Sequence, residues 1–214
     1  MRRFALSLLI FPVLALLQMG FVAPQDDADA ILQASKAKLQ AVQDFSADFI
    51  IELANPAMDN PVTQEGSFKY KSGMYTLKLD GQEIYCDKNK TWVYISEVNE
   101  VEVSDYNPED AQNIESIFQL YETNADARYD GVEKVGGTNC DKVFLAIKGG
   151  DLDYNQAYLY IERGSKLPRK VMLIDRRQTR TTYVFSDMKT NQGLSPAAFR
   201  FNEQEYPGVD VINL

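Results

Sequence analysis

The segment that most clearly indicates what this chain forms reads Phe45-Ser46-Ala47-Asp48-Phe49-Ile50-Ile51-Glu52-Leu53. Its odd-numbered residues are all apolar, whereas three of its four even-numbered residues are polar. Because successive side chains of a strand point to opposite faces, this period of two predicts a β-strand with one buried face.

Ten further strands are predicted along the chain, separated by short turns. Ser72-Gly73 and Asp80-Gly81 are typical turn sequences, and Asp-Gly is a strong hairpin signal. Short connections imply antiparallel neighbours, because parallel strands need long crossovers. The succession predicts one large sheet, a sandwich or a barrel. The further strands are predicted at residues 66–71, 74–80, 83–86, 91–96, 100–104, 131–135, 142–148, 156–162, 168–176 and 179–187.

Two helices are predicted from apolar residues spaced three and four apart. The first covers residues 26–44, and its early aspartates suit the positive end of a helix dipole. The second covers residues 108–122 and begins at Pro108, a favoured first residue of a helix. Its apolar residues are Ile114, Ile117, Phe118, Leu120 and Tyr121.

The first 24 residues have the three parts of a secretory signal peptide. Arg2 and Arg3 precede an apolar stretch at 4–17, which is shorter than the roughly 20 residues that span a bilayer. A retained membrane anchor is the alternative. We expect a signal peptide at 1–24 and one domain at 25–214. Removing the peptide changes the net charge from −9 to −11, and so acidic a protein repels nucleic acid.

The chain has two cysteines, Cys86 and Cys140, both in strand-like segments. In an oxidising compartment they could form a disulfide. The alternative is two buried thiols that pack like small apolar side chains. The sequence leaves both open, because it does not show whether the two Cβ atoms meet.

The composition argues against catalysis. The chain has no His, which excludes Ser-His and Cys-His nucleophilic sites and removes the commonest zinc ligand. Acidic residues cluster at Glu97, Glu100 and Glu102, and at Asp151 and Asp153. Paired carboxylates could serve a glycosidase, whereas a solvated acidic surface explains them without any reaction. We therefore expect no enzyme, no metal and no cofactor.

Aromatic residues are abundant, with 12 Tyr, 11 Phe and 1 Trp. Only two or three helices are predicted to cover the sheet. Rigid aromatic walls that these helices do not fill would leave a cavity suited to acyl chains. A solid core is the alternative, and the residues alone leave both open.

Five segments resemble the outer-membrane lipoprotein carrier (LolA-like) family. Together they span most of the chain in the family's order, although none is diagnostic alone. They are Val42-Gln43-Asp44-Phe45-Ser46-Ala47-Asp48-Phe49, Gln64-Glu65-Gly66-Ser67-Phe68-Lys69-Tyr70-Lys71, Asp87-Lys88-Asn89-Lys90-Thr91-Trp92-Val93-Tyr94, Val98-Asn99-Glu100-Val101-Glu102-Val103, and Pro196-Ala197-Ala198-Phe199-Arg200-Phe201 with Tyr206-Pro207-Gly208-Val209.

The resemblance implies a mostly β fold: one curved antiparallel sheet, an unclosed half-barrel, whose concave face is covered by the N-terminal helix and a lid helix. It implies a monomeric periplasmic chaperone that binds lipoprotein acyl chains. This carrier would take lipoproteins from an inner-membrane exporter to an outer-membrane acceptor. Expected cavity and lid residues are Phe49, Ile51, Tyr70, Tyr75, Leu77, Trp92, Tyr94, Ile114, Ile117, Phe118 and Tyr121.

The sequence departs from the family at two places. The turn Gly of the family's Asp-Gly-Lys segment is replaced by Lys88 or Asn89. A basic residue that latches the lid in the family, often Arg, aligns near Lys71, and Lys lacks the planar fork of Arg. The alternatives are a lipid-binding or envelope-sensing module of the same fold with another cargo, and a structural envelope protein with a solid core.

Overall fold

The structure is a computed structural model that describes residues 24–107, 120, 124–149 and 153–214. Within these residues, one helix precedes twelve strands, and two short 3₁₀-helices lie before the last strand. The elements are α1 (Pro24–Gln40), β1 (Asp44–Ala54), β2 (Val62–Lys71), β3 (Met74–Leu79), β4 (Gln82–Cys86), β5 (Lys90–Ile95), β6 (Glu100–Asp105), β7 (Ala125–Val135), β8 (Thr138–Ile147), β9 (Tyr154–Glu162), β10 (Pro168–Asp175), β11 (Arg180–Thr190), the 3₁₀-helices Pro196–Phe199 and Glu203–Glu205, and β12 (Asp210–Asn213).

All twelve strands form one open sheet in the order β12-β6-β5-β4-β3-β2-β1-β11-β10-β9-β8-β7. The sheet does not close, because β12 and β7 each have a neighbour on one side only. The prediction of a mostly β, unclosed sheet is confirmed, and the sandwich and barrel alternatives are excluded. The Asp80-Gly81 turn joins β3 to β4 as predicted, and the left-handed φ of +80° at Gly81 suits glycine.

One strand pair departs from the antiparallel prediction. Every other adjacent pair is antiparallel, but β12, which the sequence did not predict, lies parallel to β6. Parallel pairing requires a long connection. The chain provides it, because β12 comes 105 positions after the end of β6 and closes no hairpin with it.

The alternation of β1 defines two faces of the sheet. We call the face that carries Phe45, Ala47, Phe49 and Ile51 the inner face, and the opposite one the outer face. Directly opposite residues of neighbouring strands point to the same face of a sheet. The cross-strand partners therefore assign the residues of every strand to the inner or the outer face. The inner face carries two apolar clusters, one on β1–β4 around Phe49 and one on β7–β10.

The N-terminal helix is confirmed, although it ends earlier than the predicted residue 44. Helix α1 ends at Gln40, and it packs mainly on β7. Ala28 is fully buried there, in the same cluster as Ala127 and Leu145 of the inner face. The second predicted helix, 108–122, lies outside the described residues except for Leu120, which is buried in this cluster.

Residues 191–214 form a segment that we call the C-terminal strap. Its beginning is held by Asp44, whose buried carboxylate accepts hydrogen bonds of 2.7–3.1 Å from the backbone N–H groups of residues 192–194. Asp44 directly precedes the inner-face residue Phe45 and so points to the outer face, where the strap starts.

The strap then crosses the outer face of β3, β4 and β5 before it becomes β12. Thr76 donates a hydrogen bond of 2.7 Å to the carbonyl of Ala198, and Arg200 contacts Asp87 at 2.7 Å. Phe199 has no exposed surface. Phe199 of the strap is therefore buried where the strap crosses this face.

Both cysteines are free and buried. Cys86 pairs with Tyr75 of the inner face, whereas Cys140 pairs with Glu133 and Glu162 on the outer face. Of the two alternatives, the structure has the pair of buried thiols and not the disulfide.

Candidate functional site

An apolar cavity of about 220 Å³ lies on the inner face, between the two clusters. Strands β1, β2, β3 and β11 form its floor, and the end of α1 and the β9–β10 turn complete it. Its walls are formed by Leu39, Val42, Phe45, Ala47, Phe49, Ile51, Phe68, Leu77, Leu167, Pro168, Tyr183, Phe185, Met188 and Thr190.

The period of two brings the floor residues together across strands. Phe49 is the cross-strand partner of Phe185, and Ile51 is the partner of Tyr183. On the other side of β1, Ala47 pairs with Phe68. Ala47 is the one small side chain among the four residues that β1 contributes to the cavity wall, between Phe45 and Phe49.

Gly66 determines where the ring of Phe49 lies. The two residues are cross-strand partners. A Cβ atom at Gly66 would be 2.6 Å from Cζ of Phe49 and 2.5 Å from the carbonyl oxygen of Lys78. The Phe49 ring therefore occupies the space that a side chain at residue 66 would need. The ring lies over β2 and does not fill the cavity.

The cavity offers almost no polar partner. Among the described residues that line it, none is charged, and only Tyr183 and Thr190 carry a hydroxyl group. Burial raises the pKa of the Tyr183 phenol, which indicates a surrounding of low polarity. Such a space suits a hydrocarbon, because an alkyl chain loses no hydrogen bond on entering it.

The structure brings together three of the residues predicted to line the cavity. They are Phe49, Ile51 and Leu77. Tyr75 and Tyr70 lie on the inner face beside it, in the cluster around Phe49. The predicted lid residues Ile114, Ile117, Phe118 and Tyr121 lie outside the described residues.

Trp92 and Tyr94 were predicted to line the cavity, but both lie on the outer face. Trp92 pairs with Tyr85 across the β4–β5 hairpin, while the inner-face residue of β5 is Val93, the partner of Ile84. The Tyr94 ring packs on Tyr206 of the strap, with centroids 4.4 Å apart. Aromatic character alone did not indicate the face.

Lys71, the predicted lid latch, has a contact in the structure that the sequence did not indicate. Its Nζ donates a hydrogen bond to the carbonyl oxygen of Leu194, at the start of the strap. Lys71 is the cross-strand partner of Asp44, which holds the same loop. The residue that aligns with the family's lid latch therefore fixes the strap on the outer face.

Several lining residues were not among the predicted ones. Tyr183 and Phe185 alternate along β11, so the period of two could have indicated them. Leu39 and Val42 belong to the apolar positions of the predicted first helix. Leu167 lies in a turn, where the sequence has no periodic signal.

A polar cluster holds the strap on the outer face. The hydroxyls of Tyr85 and Tyr206 both donate to Oε2 of Glu83, at 2.6 and 2.7 Å, and Nζ of Lys78 is 2.6 Å from the same oxygen. Burial raises the pKa of Glu83, but these hydrogen bonds outweigh it and leave the pKa below its usual value. Burial and the contact with Glu83 raise the pKa of both phenols.

Asp87 is the second acidic anchor of the strap. Burial raises the pKa of Asp87. Hydrogen bonds from the backbone N–H groups of Lys90 and Asn89 and from Arg200 lower it by more, so the pKa lies below its usual value. The Nε of Arg200 is 2.7 Å from Oδ2 of Asp87.

Among the described residues, no group of three or more His, Cys, Asp or Glu side chains is placed to hold a metal ion. In that same part of the chain, no helix combines the length and the apolar character needed to cross a bilayer.

A model of one protein family matches most of the chain. The family is described as sporulation protein YdcC-like, and the match covers residues 1–199. No curated protein matches the sequence.

Solved structures of similar fold share little sequence with this chain. An uncharacterized conserved protein from Thermus thermophilus is 12% identical, with a TM-score of 0.55 over 88% of this chain and 99% of that chain. LprF from Mycobacterium bovis is 11% identical, with a TM-score of 0.51 over 81% of this chain and 97% of that chain. A LolA superfamily protein from Nitrosomonas europaea is 12% identical, with a TM-score of 0.39 over 81% and 97%. The predicted likeness to the LolA-like family is confirmed at the level of fold.

Proposed function

This chain belongs to the sporulation protein YdcC-like family, and we propose that it is a binding protein that carries lipid acyl chains in its inner-face cavity. The observation that carries the proposal is the apolar lining of that cavity, on a sheet that stays open. No reaction is part of the proposal, because the cavity walls offer hydrocarbon surface and two hydroxyl groups.

The energetics suit a carrier. Each buried methylene contributes roughly 0.8 kcal/mol, so even part of an alkyl chain would be held firmly. The cavity volume of about 220 Å³ lies below the roughly 300–1,000 Å³ of pockets for drug-sized ligands. The volume favours one chain, or part of one, over several chains side by side.

In its finer form, the proposal follows the LolA-like resemblance. Residues 1–24 direct export as a signal peptide, and residues 25–214 act in the periplasm as a monomer. The cargo is the acyl group of lipoproteins, received from an inner-membrane exporter and given to an outer-membrane acceptor. This route agrees with the fold, which is that of an unclosed half-barrel.

The lid is a separate part of the proposal. The predicted helix 108–122 would cover the cavity with Ile114, Ile117, Phe118 and Tyr121. An apo lid that enters the cavity competes with the ligand and lowers its apparent affinity, which permits release. If Phe118→Glu leaves both binding and hand-off of lipoproteins intact, this helix is not the lid.

A second candidate is a lipid-binding or envelope-sensing module of the same fold with another cargo. The family description favours it, because that description names sporulation and not lipoprotein transport. Fold alone does not decide between the two functions. The identity of the bound molecule does.

The test uses the protein purified gently from its own cells. We expect native mass spectrometry to show an additional acylated mass: a lipopeptide or lipoprotein for the carrier, and a free lipid for the second candidate. Protein without any bound mass, which also fails to take up alkyl ligands in solution, would contradict both.

Neighbouring isoleucines provide a matched pair of variants. Ile51 lines the cavity, whereas Ile50 lies on the outer face and is 39% exposed. We expect Ile51→Glu to abolish uptake of alkyl ligands, because it places a charge in an apolar space. Ile50→Glu should bind as the unmodified protein does. Equal binding by both variants would place the ligand elsewhere.

A further inference from the structure

Three chain segments meet at one end of the cavity. The end of α1 and its connection to β1 contribute Leu39 and Val42, the β9–β10 turn contributes Leu167, and the end of β11 contributes Met188 and Thr190. We call this the turn end of the cavity. Residues 40, 41, 43, 163 and 164 of these segments are exposed, so the turn end faces solvent.

The turn end is basic in an otherwise acidic protein. Residues 36–43, 162–169 and 187–190 contain six Lys or Arg and two Asp or Glu, a net charge of +4, whereas the whole chain carries −9. The next acidic residue, Asp44, turns its carboxylate to the strap on the other face. Charge is thus concentrated where an amphiphile in the cavity would place its headgroup.

Part of this charge is already neutralised. Arg169 pairs with Glu162 at 2.9 Å, and Lys189 pairs with Asp187 at 2.7 Å. Arg163, also at the turn end, is 3.2 Å from Asp141. These pairs leave less charge for a ligand than the sequence count suggests.

Two lysines at the turn end keep their charge available. Within the described part of the chain, neither Lys38 nor Lys166 forms an ion pair. Each directly precedes a leucine of the cavity wall, Leu39 and Leu167 respectively. A lysine without an ion pair is thus the sequence neighbour of a wall residue in two of the three segments of the turn end.

The β9–β10 turn holds Lys166 in a defined position. Its backbone has a left-handed φ of +63°, which L residues seldom adopt. The N–H of Lys166 bonds to the carbonyl of Glu162 at 2.9 Å, and the next N–H, of Leu167, bonds to the Ser165 hydroxyl at 3.2 Å. The backbone at Lys166 is therefore ordered before an anion binds, and only the rotamers of the lysine side chain remain to be fixed.

We propose that the natural ligand is a single-chain amphiphile with an anionic headgroup, a carboxylate or a phosphate, placed between Lys38 and Lys166. The inference rests on the proposed function, since it assumes that the alkyl chain occupies the cavity. The wall supplies affinity for the chain, and the two lysines supply the preference for charge.

Four probes of the same chain length test this inference in the full-length mature protein. They are palmitate, 1-palmitoyl-lysophosphatidylglycerol, the zwitterionic 1-palmitoyl-lysophosphatidylcholine and the neutral 1-palmitoylglycerol. Each is titrated, below its micellar concentration, against a bound neutral dye, N-phenyl-1-naphthylamine. We expect one or both anionic probes to bind about five- to tenfold more tightly than the neutral one. The comparison of palmitate with lysophosphatidylglycerol tells a carboxylate from a phosphate source.

The lysine variants connect the preference to the structure. Lys38→Gln with Lys166→Gln should remove the anionic preference and leave binding of 1-palmitoylglycerol unchanged. Lys134→Gln, an exposed site on the edge strand β7, is the matched control and should keep it. High salt should weaken the preference in the same way, since exposed charges are screened.

The outcomes separate the two proposals. If no probe binds, the proposed function fails. If all four probes bind equally, or if the double variant keeps its anionic preference, the further inference is overturned while the carrier function stands.

Discussion

At the level of single residues, the face of the sheet to which a side chain points is the property that matters most. Phe49, Ile51 and Leu77 line the cavity because each lies on the inner face of its strand. The alternation in the sequence indicated this correctly for β1. It failed for Trp92 and Tyr94 of β5. Three hairpins and a loop separate β1 from β5, and the register of each one affects the face to which a β5 side chain points.

Gly66 gives the sharpest prediction for a single residue. We expect Gly66→Ala to lower the free energy of unfolding by about 1–3 kcal/mol, the usual cost of overpacking, and to weaken alkyl binding. The new Cβ would lie 2.5 Å from the Lys78 carbonyl oxygen and 2.6 Å from the Phe49 ring, so the ring must move. Urea denaturation and ligand titration measure the two effects.

Gly164→Ala is the control for this substitution. A Cβ at Gly164 meets no atom within 4 Å, and its φ is not left-handed. Its unfolding free energy should therefore stay within about 0.5 kcal/mol of the unmodified protein. Equal stability of both alanine variants would mean that Gly66 is not needed to accommodate Phe49.

At the level of elements, the strap is the feature with the clearest physical account. Burial raises the pKa of Glu83 and of Asp87, but hydrogen bonds outweigh it and leave both below their usual values. For Glu83 these bonds come from Lys78, from Tyr206 of the strap and from Tyr85. For Asp87 they come from the backbone of Lys90 and Asn89 and from Arg200 of the strap. Groups with a lowered pKa stabilise the fold above their unfolded pKa values. This stabilisation is lost as the pH falls through the lower, folded values.

The strap predicts a particular dependence of stability on pH. We expect the free energy of unfolding to fall below about pH 4.5, near the ordinary pKa of Glu. Arg200→Gln should lower stability at pH 7 by less than about 1 kcal/mol, because Arg200 is largely exposed, and should make the acid dependence shallower. Chemical denaturation at a series of pH values measures both.

Lys189→Gln serves as the comparison for Arg200→Gln. It removes an ion pair in which both side chains are more than half exposed, so neither the stability at pH 7 nor the acid slope should change measurably. An Arg200→Gln protein with an unaltered acid slope would show that the Asp87 contact contributes nothing to the anchoring of the strap.

At the level of the whole molecule, the cysteines show how far apart the two halves of the sheet lie. Strands β4 and β8 are seven strand spacings apart in the sheet, which is about 34 Å along it at roughly 4.8 Å per spacing. Cys86 and Cys140 also point to opposite faces. A disulfide requires Cα atoms within about 7 Å.

The folded protein should therefore never pair its cysteines. We expect two free thiols per chain by alkylation and mass spectrometry after denaturation under non-reducing conditions, and no effect of reductant on the free energy of unfolding. A single species two mass units lighter that is less stable after reduction would contradict the strand order.

Local sequence signals were sufficient for eleven of the twelve described strands, for α1 and for the kind of fold. The period of two in β1, the Asp80-Gly81 hairpin and the apolar spacing of α1 each arise between residues close together in the chain. They predicted a mostly β protein with an N-terminal helix, and the resemblance added the unclosed sheet. The site was predicted in part, at Phe49, Ile51 and Leu77.

The face of each later strand, the parallel strand β12 and the role of Lys71 depended on contacts between distant parts of the chain. Lys71 meets Leu194 across 123 positions, and the Tyr94 ring meets Tyr206 of the strap. No pattern within a window of residues records such a partner. An aromatic side chain is equally well buried under a strap or against a cavity, and folding selects between them through the whole path of the chain.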